Sequence, residues 1–323
     1  MSKAVAYHID MDRCTIPASA VEARWTAPDG AAIRRIDWPG TEQENGSRGS
    51  ILFFGGRGDF YEKYLEALEY WHRSGWRVTA MDWRGQAGSG RLGNDPVTGH
   101  VSDFSVWLDD LAAFWAEWKA QRPGPHILAA HSMGGHLALR AAVEGRVDPD
   151  ALVLSAPMLG FVGGIPNAVA HAAAKAMCKI GDPARPAWKW SEKPGEVPAS
   201  RQALLTHDDA RYQDELSWRG QRPELVMGPG SWGWVERAYA SMDEIFADDR
   251  LESLKTPVAM VATSHDKLVG IAAIEEAVRR LPNAELLCFG KEARHEILRE
   301  EDGVRDQAMA TIDAFLEKVS PAK

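Results

Sequence analysis

His126-Ile127-Leu128-Ala129-Ala130-His131-Ser132-Met133-Gly134-Gly135 begins as an apolar run and ends in small residues around a serine, with helix-spaced Leu137 and Ala141 beyond it. The pattern predicts a strand over 126–130, a tight turn with Ser132 at its apex and a helix behind it. A turn that sharp holds its serine in a strained backbone conformation. Residues two before and two after the serine must then be small, or strand and helix collide. Ala130 and Gly134 meet that requirement. Small-X-Ser-X-Gly strings are common in any chain, and it is the strand before and the helix after that set this one apart.

Outward from this turn, short apolar runs bounded by turn residues alternate with helix-period segments. The alternation predicts an α/β fold, a mostly parallel central sheet flanked by helices. Residues 22–26 and 31–37, separated by Ala27-Pro28-Asp29-Gly30, read as an opening hairpin. Further strands are expected at 50–54, 77–81, 151–154, 257–262 and 285–289. Helical stripes run through Tyr61, Tyr64, Leu65, Leu68 and Trp71, which Gly75 closes, and through Phe104, Trp107, Leu108, Leu111, Trp115 and Trp118. Others run through Ile274 and Val278, and through Val304, Ala308, Ile312, Phe315 and Val319.

Between Pro157 and Leu254 the alternation stops. An Ala-rich amphipathic helix is expected over 168–180, followed by Pro- and Trp-rich sequence with no clear strand. A structureless loop of roughly a hundred residues is out of keeping with a compact domain, so this stretch reads as a helical insertion covering the sheet. The expected organisation is a core of 1–157 and 255–323 with a helical cap over 158–254, inserted after the strand that follows the nucleophile helix.

A serine hydroxyl is a weak nucleophile unless an adjacent imidazole takes its proton, and the imidazole needs a carboxylate to fix its tautomer. In a strand–turn–helix arrangement of this kind the chain order is serine, acid, histidine. Asp266 follows the strand expected at 257–262, at the carboxyl end where sites in open α/β sheets collect. His295 follows the last strand and is the only histidine after Asp266. Acyl transfer also needs backbone N–H groups aimed at the developing oxyanion. One is expected from Met133 and the other from Arg57, in the loop Gly55-Gly56-Arg57-Gly58 after the first buried strand. That loop lacks both the full G-x-G-x-x-G spacing and the Lys-Ser/Thr of a phosphate-binding loop.

The chain has 323 residues, of which 45% are hydrophobic and 26% charged, the composition of a soluble globular protein rather than a disordered, collagenous or coiled-coil one. Lys plus Arg number 37 and Asp plus Glu 46, giving −9, a sign that repels phosphate backbones and argues against a nucleic-acid partner. Cys14, Cys178 and Cys288 are odd in number and far apart, which fits neither a disulfide framework nor a zinc site and points to a reducing compartment. The first ten residues lack the apolar region of a secretory signal, and no run reaches the ~18 apolar residues of a membrane span. The expectation is a cytoplasmic protein, at most peripheral on the inner membrane.

Several strings together resemble those of bacterial lysophospholipases of the α/β-hydrolase superfamily, close kin of monoacylglycerol lipases. In order they are Gly55-Gly56-Arg57 followed by Tyr61 to Leu65, Asp82-Trp83-Arg84-Gly85-Gln86 with Ser89-Gly90-Arg91-Leu92, and Gly99-His100-Val101 with Asp109-Asp110-Leu111-Ala112. The serine turn follows, then Ser155-Ala156-Pro157-Met158, Leu205-Thr206-His207, Gly228-Pro229 with Trp234-Val235, and His295-Glu296-Ile297-Leu298. They span nearly the whole chain. Ala130 and Gln86 depart from the Gly and His usual in monoacylglycerol lipases, and the Gly55-Gly56-Arg57 loop departs from their His-Gly opening. The resemblance implies a serine hydrolase that cleaves the single acyl ester of a lysophospholipid, with no metal or cofactor. It also implies Ser132 as nucleophile, Asp266 as acid and His295 as base. Monoacylglycerols, short esters and an N-terminal peptide bond remain alternative substrates of the same three residues, and a non-catalytic receptor on this fold is a remote one. Epoxide hydrolase and dehalogenase relatives carry Asp, not Ser, at the turn.

Thirteen tryptophans are present, five of them (Trp188, Trp190, Trp218, Trp232, Trp234) in the insertion. They line an acyl-chain tunnel, with Trp232 and Trp234 as substrate contacts, or form the insertion's own small core. The helix at 168–180, with Lys175 and Lys179, is a candidate for transient membrane-surface contact, although its many alanines favour packing on the core. His131 and His265 read as structural. Asp82 and Arg84 read as a loop-organising ion pair, with Arg84 or Arg91 on a head-group phosphate as the alternative.

Overall fold

The computed structural model describes residues 7, 9–39, 48–163, 165–189 and 199–320; Trp190 and residues 1–6 lie outside them. Within them eight strands form one sheet. In chain order these are β1 (Val21–Thr26), β2 (Ala32–Trp38), β3 (Gly49–Phe54), β4 (Trp76–Met81), β5 (His126–His131), β6 (Ala151–Ser155), β7 (Val258–Thr263) and β8 (Ala284–Phe289). Across the sheet the order is β1-β2-β4-β3-β5-β6-β7-β8. The opening hairpin pairs antiparallel and lies antiparallel on β4, and every other neighbouring pair is parallel. β3, β5, β6 and β7 are buried at every position, which is why they read as continuous apolar runs rather than as alternation.

The helices, in chain order, are α1 (Leu65–Arg73), α2 (Ser105–Gln121), α3 (Met133–Val143), α4 (Asn167–Lys179), α5 (Ala199–Leu205), α6 (Asp209–Gln221), α7 (Trp232–Phe246), α8 (Arg250–Ser253), α9 (Ile271–Arg280) and α10 (Asp302–Val319). Two apolar cores form. One holds Trp107 and Leu111 of α2, Leu137 of α3 and Ile274 of α9. The other holds Leu68 and Trp71 of α1 and Ile312 and Phe315 of α10. The stripe beginning at Tyr61 starts as a 3₁₀ turn, Tyr61–Tyr64, before α1, and Gly75 follows α1 at φ +93°, where a side chain would be strained.

Between β6 and β7 the described residues form α4 to α8 and no strand. Trp234, Met242 and Ile245 of α7 join the first core, so α7 is the element by which this stretch is seated on the sheet. The expectation that α4 packs on the core is corrected in part. His171 and Ala174 are its buried residues, His171 bonding Glu236 of α7, and its other face is open to solvent. Trp218 of α6 lies in the second core with its indole N–H on the Arg13 carbonyl, and does not line the cavity that Trp188, Trp232 and Trp234 share.

From β3 the chain moves to β4 on one side and returns to β5 on the other, so the sheet's topological switch lies between β3 and β5. Phe54 pairs with Ala130, which brings the loops after β3 and β5 level at the carboxyl edge.

Candidate active site

Ser132 stands between β5 and α3 at φ 51°, ψ −118°, a conformation that costs a non-glycine residue of order 1–3 kcal/mol. Three backbone bonds hold it: its N–H donates to Ser155 at 2.9 Å, and its carbonyl accepts from His136 and Met158, each at 3.0 Å. The turn is also packed from both sides. A Cβ on Gly134 would lie 2.4 Å from the Gly55 carbonyl oxygen, so only glycine lets α3 start against the loop after β3. The same approach brings that loop to the serine, since a Cβ on Gly56 would lie 2.9 Å from Ser132 Cβ.

His295 Nε2 lies 2.9 Å from Ser132 Oγ, and His295 Nδ1 lies 2.6 Å from Asp266 Oδ2. The other Asp266 oxygen accepts from the Leu268 and Val269 amides at 2.7 and 3.1 Å. Thr263, the last residue of β7, donates its hydroxyl to the Gly290 and Ala293 carbonyls, which ties the loop after β8 to the loop carrying Asp266. Burial alone would push the Asp266 carboxyl up and the His295 imidazole down. The charge and hydrogen bond each supplies the other, helped by the two amides, outweigh burial, so Asp266 is lowered and His295 raised.

The loop after β3 is anchored through its amides. The Gly56 N–H donates to Asp59 at 2.7 Å and the Gly58 N–H to Gln86 Oε1 at 2.6 Å. Asp59 also accepts from Tyr64 at 2.7 Å and from Lys63 at 2.6 Å. Lys63 reaches Glu296 at 2.5 Å and Glu215 of α6 at 3.2 Å, and Arg299 bonds Glu215 and Glu296 in turn. Burial would raise the Asp59 carboxyl, but Lys63 and its other partners hold it well below the usual range. Sequence reading misses this network because its members come from four separated segments, although the Asp59–Lys63 spacing of four residues is a visible helix-type pair. It also treats His131 as remote from the chemistry. The His131 ring lies 4.7 Å from the His295 ring, and burial, with His295 beside it, pushes His131 down to about 4.

Ser132 opens onto a cavity of about 600 Å³ lined by Met158, Phe161, Trp188, Trp232, Trp234 and Tyr239 among others. Met133 begins α3, whose first-turn N–H groups have no acceptor within the helix, and Arg57 borders the same cavity. Among the described residues no group of three His, Cys, Asp or Glu is placed to hold a metal ion.

Residues 45–302 match the family described as serine aminopeptidase, S33 hydrolases. The chain belongs to that family. The hydrolase is 28% identical over 315 residues to lysophospholipase L2 of Escherichia coli strain K12, covering 93% of this chain and 89% of that one. It is 23% identical to the probable lysophospholipase L2 of Haemophilus influenzae, over 85% and 86% of the two chains. Its fold is that of the α/β-hydrolases. A soluble variant of monoglyceride lipase from Saccharomyces cerevisiae superposes with a TM-score of 0.75 at 20% identity, covering 98% of this chain and 99% of that one. A carboxyl esterase from Bacillus coagulans superposes at 0.66 with 16% identity, over 94% and 99%.

One expectation fails in the hydrolase. Asp82 and Arg84 do not pair: Asp82 accepts from Arg34 at 2.7 Å, while Arg84 is forked onto Asp110 of α2 at 2.6 and 2.7 Å and onto Asp29 of the hairpin turn. Nor do Arg84 and Arg91 border the Ser132 cavity. Arg91 donates to the carbonyls of Ala87, Gly90, Pro96, Glu224 and Val226, stitching its own loop to the residues before α7. The hydrolase has no described helix long and apolar enough to cross a membrane.

Proposed function

We propose that the hydrolase cleaves the acyl ester of a single-chain lipid, a lysophospholipid before other substrates, through an acyl-enzyme on Ser132. The observation that carries this reading is the aromatic-lined cavity of about 600 Å³ that opens on the Ser132 hydroxyl. An apolar cavity of that size favours a hydrocarbon chain, each buried CH₂ contributing about 0.8 kcal/mol. An aminopeptidase would need a carboxylate for the substrate's ammonium. Asp59 and Glu296, the carboxylates on the described lining, are both bonded to Lys63. Arg201 and Lys267 border the cavity, cations that a phosphodiester head group can use and an uncharged glycerol cannot. The lysophospholipase names of the two sequence relatives point the same way.

In the proposed mechanism His295 takes the Ser132 proton as Oγ bonds to the ester carbonyl carbon. The carbonyl oxygen, now an oxyanion, is held by the N–H groups of Met133 and Arg57. His295 then returns the proton to the leaving glycerol oxygen as the C–O bond breaks, leaving the acyl group on Ser132. Water, deprotonated by His295, attacks the acyl carbon; the bond to Oγ then breaks, His295 returns the proton to Ser132, and the fatty acid is released. Asp266 keeps the imidazole in the tautomer this requires and stabilises its charged form. Residues 158–254 act as the cap over the core of 1–157 and 255–323, with Trp188, Trp232 and Trp234 along the acyl chain.

Steady-state rates on a lysophospholipid, a monoacylglycerol of the same chain length and an aminoacyl anilide test the reading. The expected order of kcat/KM is lysophospholipid, monoacylglycerol, anilide. Faster turnover of the anilide than of either lipid overturns it, and monoacylglycerol first would reassign the substrate within the same chemistry.

A further inference from the structure

The loop that carries Arg57 is gripped on three sides, and the third grip comes from a distant part of the chain. Asp59 holds the Gly56 amide and Gln86 the Gly58 amide. The Arg57 side chain makes its contacts with a different part of the chain. Its Nη2 donates to the Gly228 carbonyl at 2.6 Å, and its guanidinium carbon lies 5.1 Å from the Trp188 ring centroid and 5.2 Å from that of Trp234. Cation–ring contacts at that distance are attractive, more so when shielded from water.

The surroundings are shaped to this contact. A Cβ on Gly99 would lie 2.8 Å from Arg57 Nη2, and one on Gly230 would lie 2.6 Å from the Trp188 ring. Gly99 and Gly230 bridge one another: the Gly99 N–H donates to Pro229 and the Ser231 N–H to Gly99, at 2.8 and 3.0 Å. Ala187 donates to Gly230 at 2.8 Å, so Trp188 is set beside the same bridge. The guanidinium is therefore seated among residues between β6 and β7, while its own backbone belongs to the loop beside Ser132.

We propose that the Arg57 side chain is a positioning residue that makes the oxyanion hole depend on the seating of Trp188 and residues 228–234. With the guanidinium gripped, the loop after β3 is fixed at this side chain as well as at its amides, and the Arg57 amide faces the ester oxygen. When those residues lift, the amide loses that anchor and the hole is incomplete. Turnover is thereby confined to the state in which the cavity is covered and water is excluded. This inference rests on the reading of Ser132 as nucleophile and of the Arg57 amide as an oxyanion donor.

The test uses the full chain and p-nitrophenyl acetate, an ester too short to need the tryptophans as acyl contacts. Arg57→Ala is expected to lower kcat about 10²-fold with KM little changed, the scale of a donor displaced from its position. Arg57→Lys, which keeps the cation over the rings but loses the fork, should recover part of that loss. Trp188→Ala removes a half-exposed side chain that does not touch this substrate, and should lower kcat several-fold in a protein of unchanged melting temperature. A phosphonate transition-state analogue should lose affinity in parallel with kcat. Wild-type kcat in Arg57→Ala and Trp188→Ala, or a loss confined to KM, overturns the proposal while Ser132 still labels with a fluorophosphonate. A wild-type protein that neither labels nor turns over overturns the serine reading, and this inference with it.

Discussion

His295 is the residue whose environment most directly sets a measurable property. Its imidazole is raised above the ordinary histidine value of about 6.5, because Asp266 at 2.6 Å and the more distant Glu296 and Asp59 favour the charged ring despite burial. A general base works only when neutral, so activity falls as pH drops through that raised value. The acid limb of kcat/KM is therefore expected above pH 6.5 or so, and Asp266→Asn should move it downwards while lowering kcat by roughly 10³-fold or more. A limb that stays in place in Asp266→Asn would detach the acid from the base. The three residues are legible in sequence because each follows a recognisable strand and the order serine, acid, histidine leaves one choice of base. His131 is not legible. Alternation along a strand places it opposite Ser132, and only the return of the loop after β8 brings His295 against its ring.

Among elements, the loops at the carboxyl edge of the sheet are held by charge pairs whose partners lie far away in sequence. Arg84 follows β4, yet its carboxylates come from α2 and from the hairpin turn between β1 and β2. Proximity in the chain suggests Asp82, which instead joins Arg34. Ion pairs of this kind leave no periodic trace, whereas buried strands and helical stripes do, and so the elements are readable and the pairings are not. Arg84→Gln is expected to lower the melting temperature by about 1–2 °C, the effect of about 1 kcal/mol in a chain of this size. It should leave the ratio of kcat/KM for lysophospholipid over monoacylglycerol unchanged. A fall in that ratio would return Arg84 to the head group. Lys63 is the more costly of the buried cations to lose, because its removal leaves Asp59 to the neutral Tyr64 hydroxyl and Gly56 amide, and Glu215 and Glu296 to Arg299 and Arg219.

At the scale of the molecule, apolar exposure is concentrated in one stretch of the chain, residues 162–188. Among the described residues, five of the seven exposed large hydrophobic side chains are Val162 (51%), Ile165 (64%), Val169 (57%), Ile180 (76%) and Trp188 (44%). Val162 and Trp188 also border the Ser132 cavity. Residues 161–180 contain Lys175 and Lys179 and no acidic residue, in a chain whose net charge is −9. Apolar side chains with basic neighbours at a cavity mouth suit an anionic lipid surface, to which the rest of the chain is repelled. The hydrolase is accordingly expected to sediment with phosphatidylglycerol-containing vesicles more than with pure phosphatidylcholine ones. Val169→Glu with Ile180→Glu should abolish this, and unchanged sedimentation of that double variant would place the contact elsewhere. Sequence alone identifies the helix and its lysines but credits its alanines to packing, since the open face of α4 follows from α7 covering only His171 and Ala174.

All of this presupposes an activated serine at the turn after β5. A fluorophosphonate probe followed by peptide mapping, on the wild type and on Ser132→Ala, measures that directly. The expected result is a single labelled peptide with the adduct on Ser132, and no labelling of a folded Ser132→Ala variant. An adduct on another residue, or equal labelling of the two proteins, would contradict it.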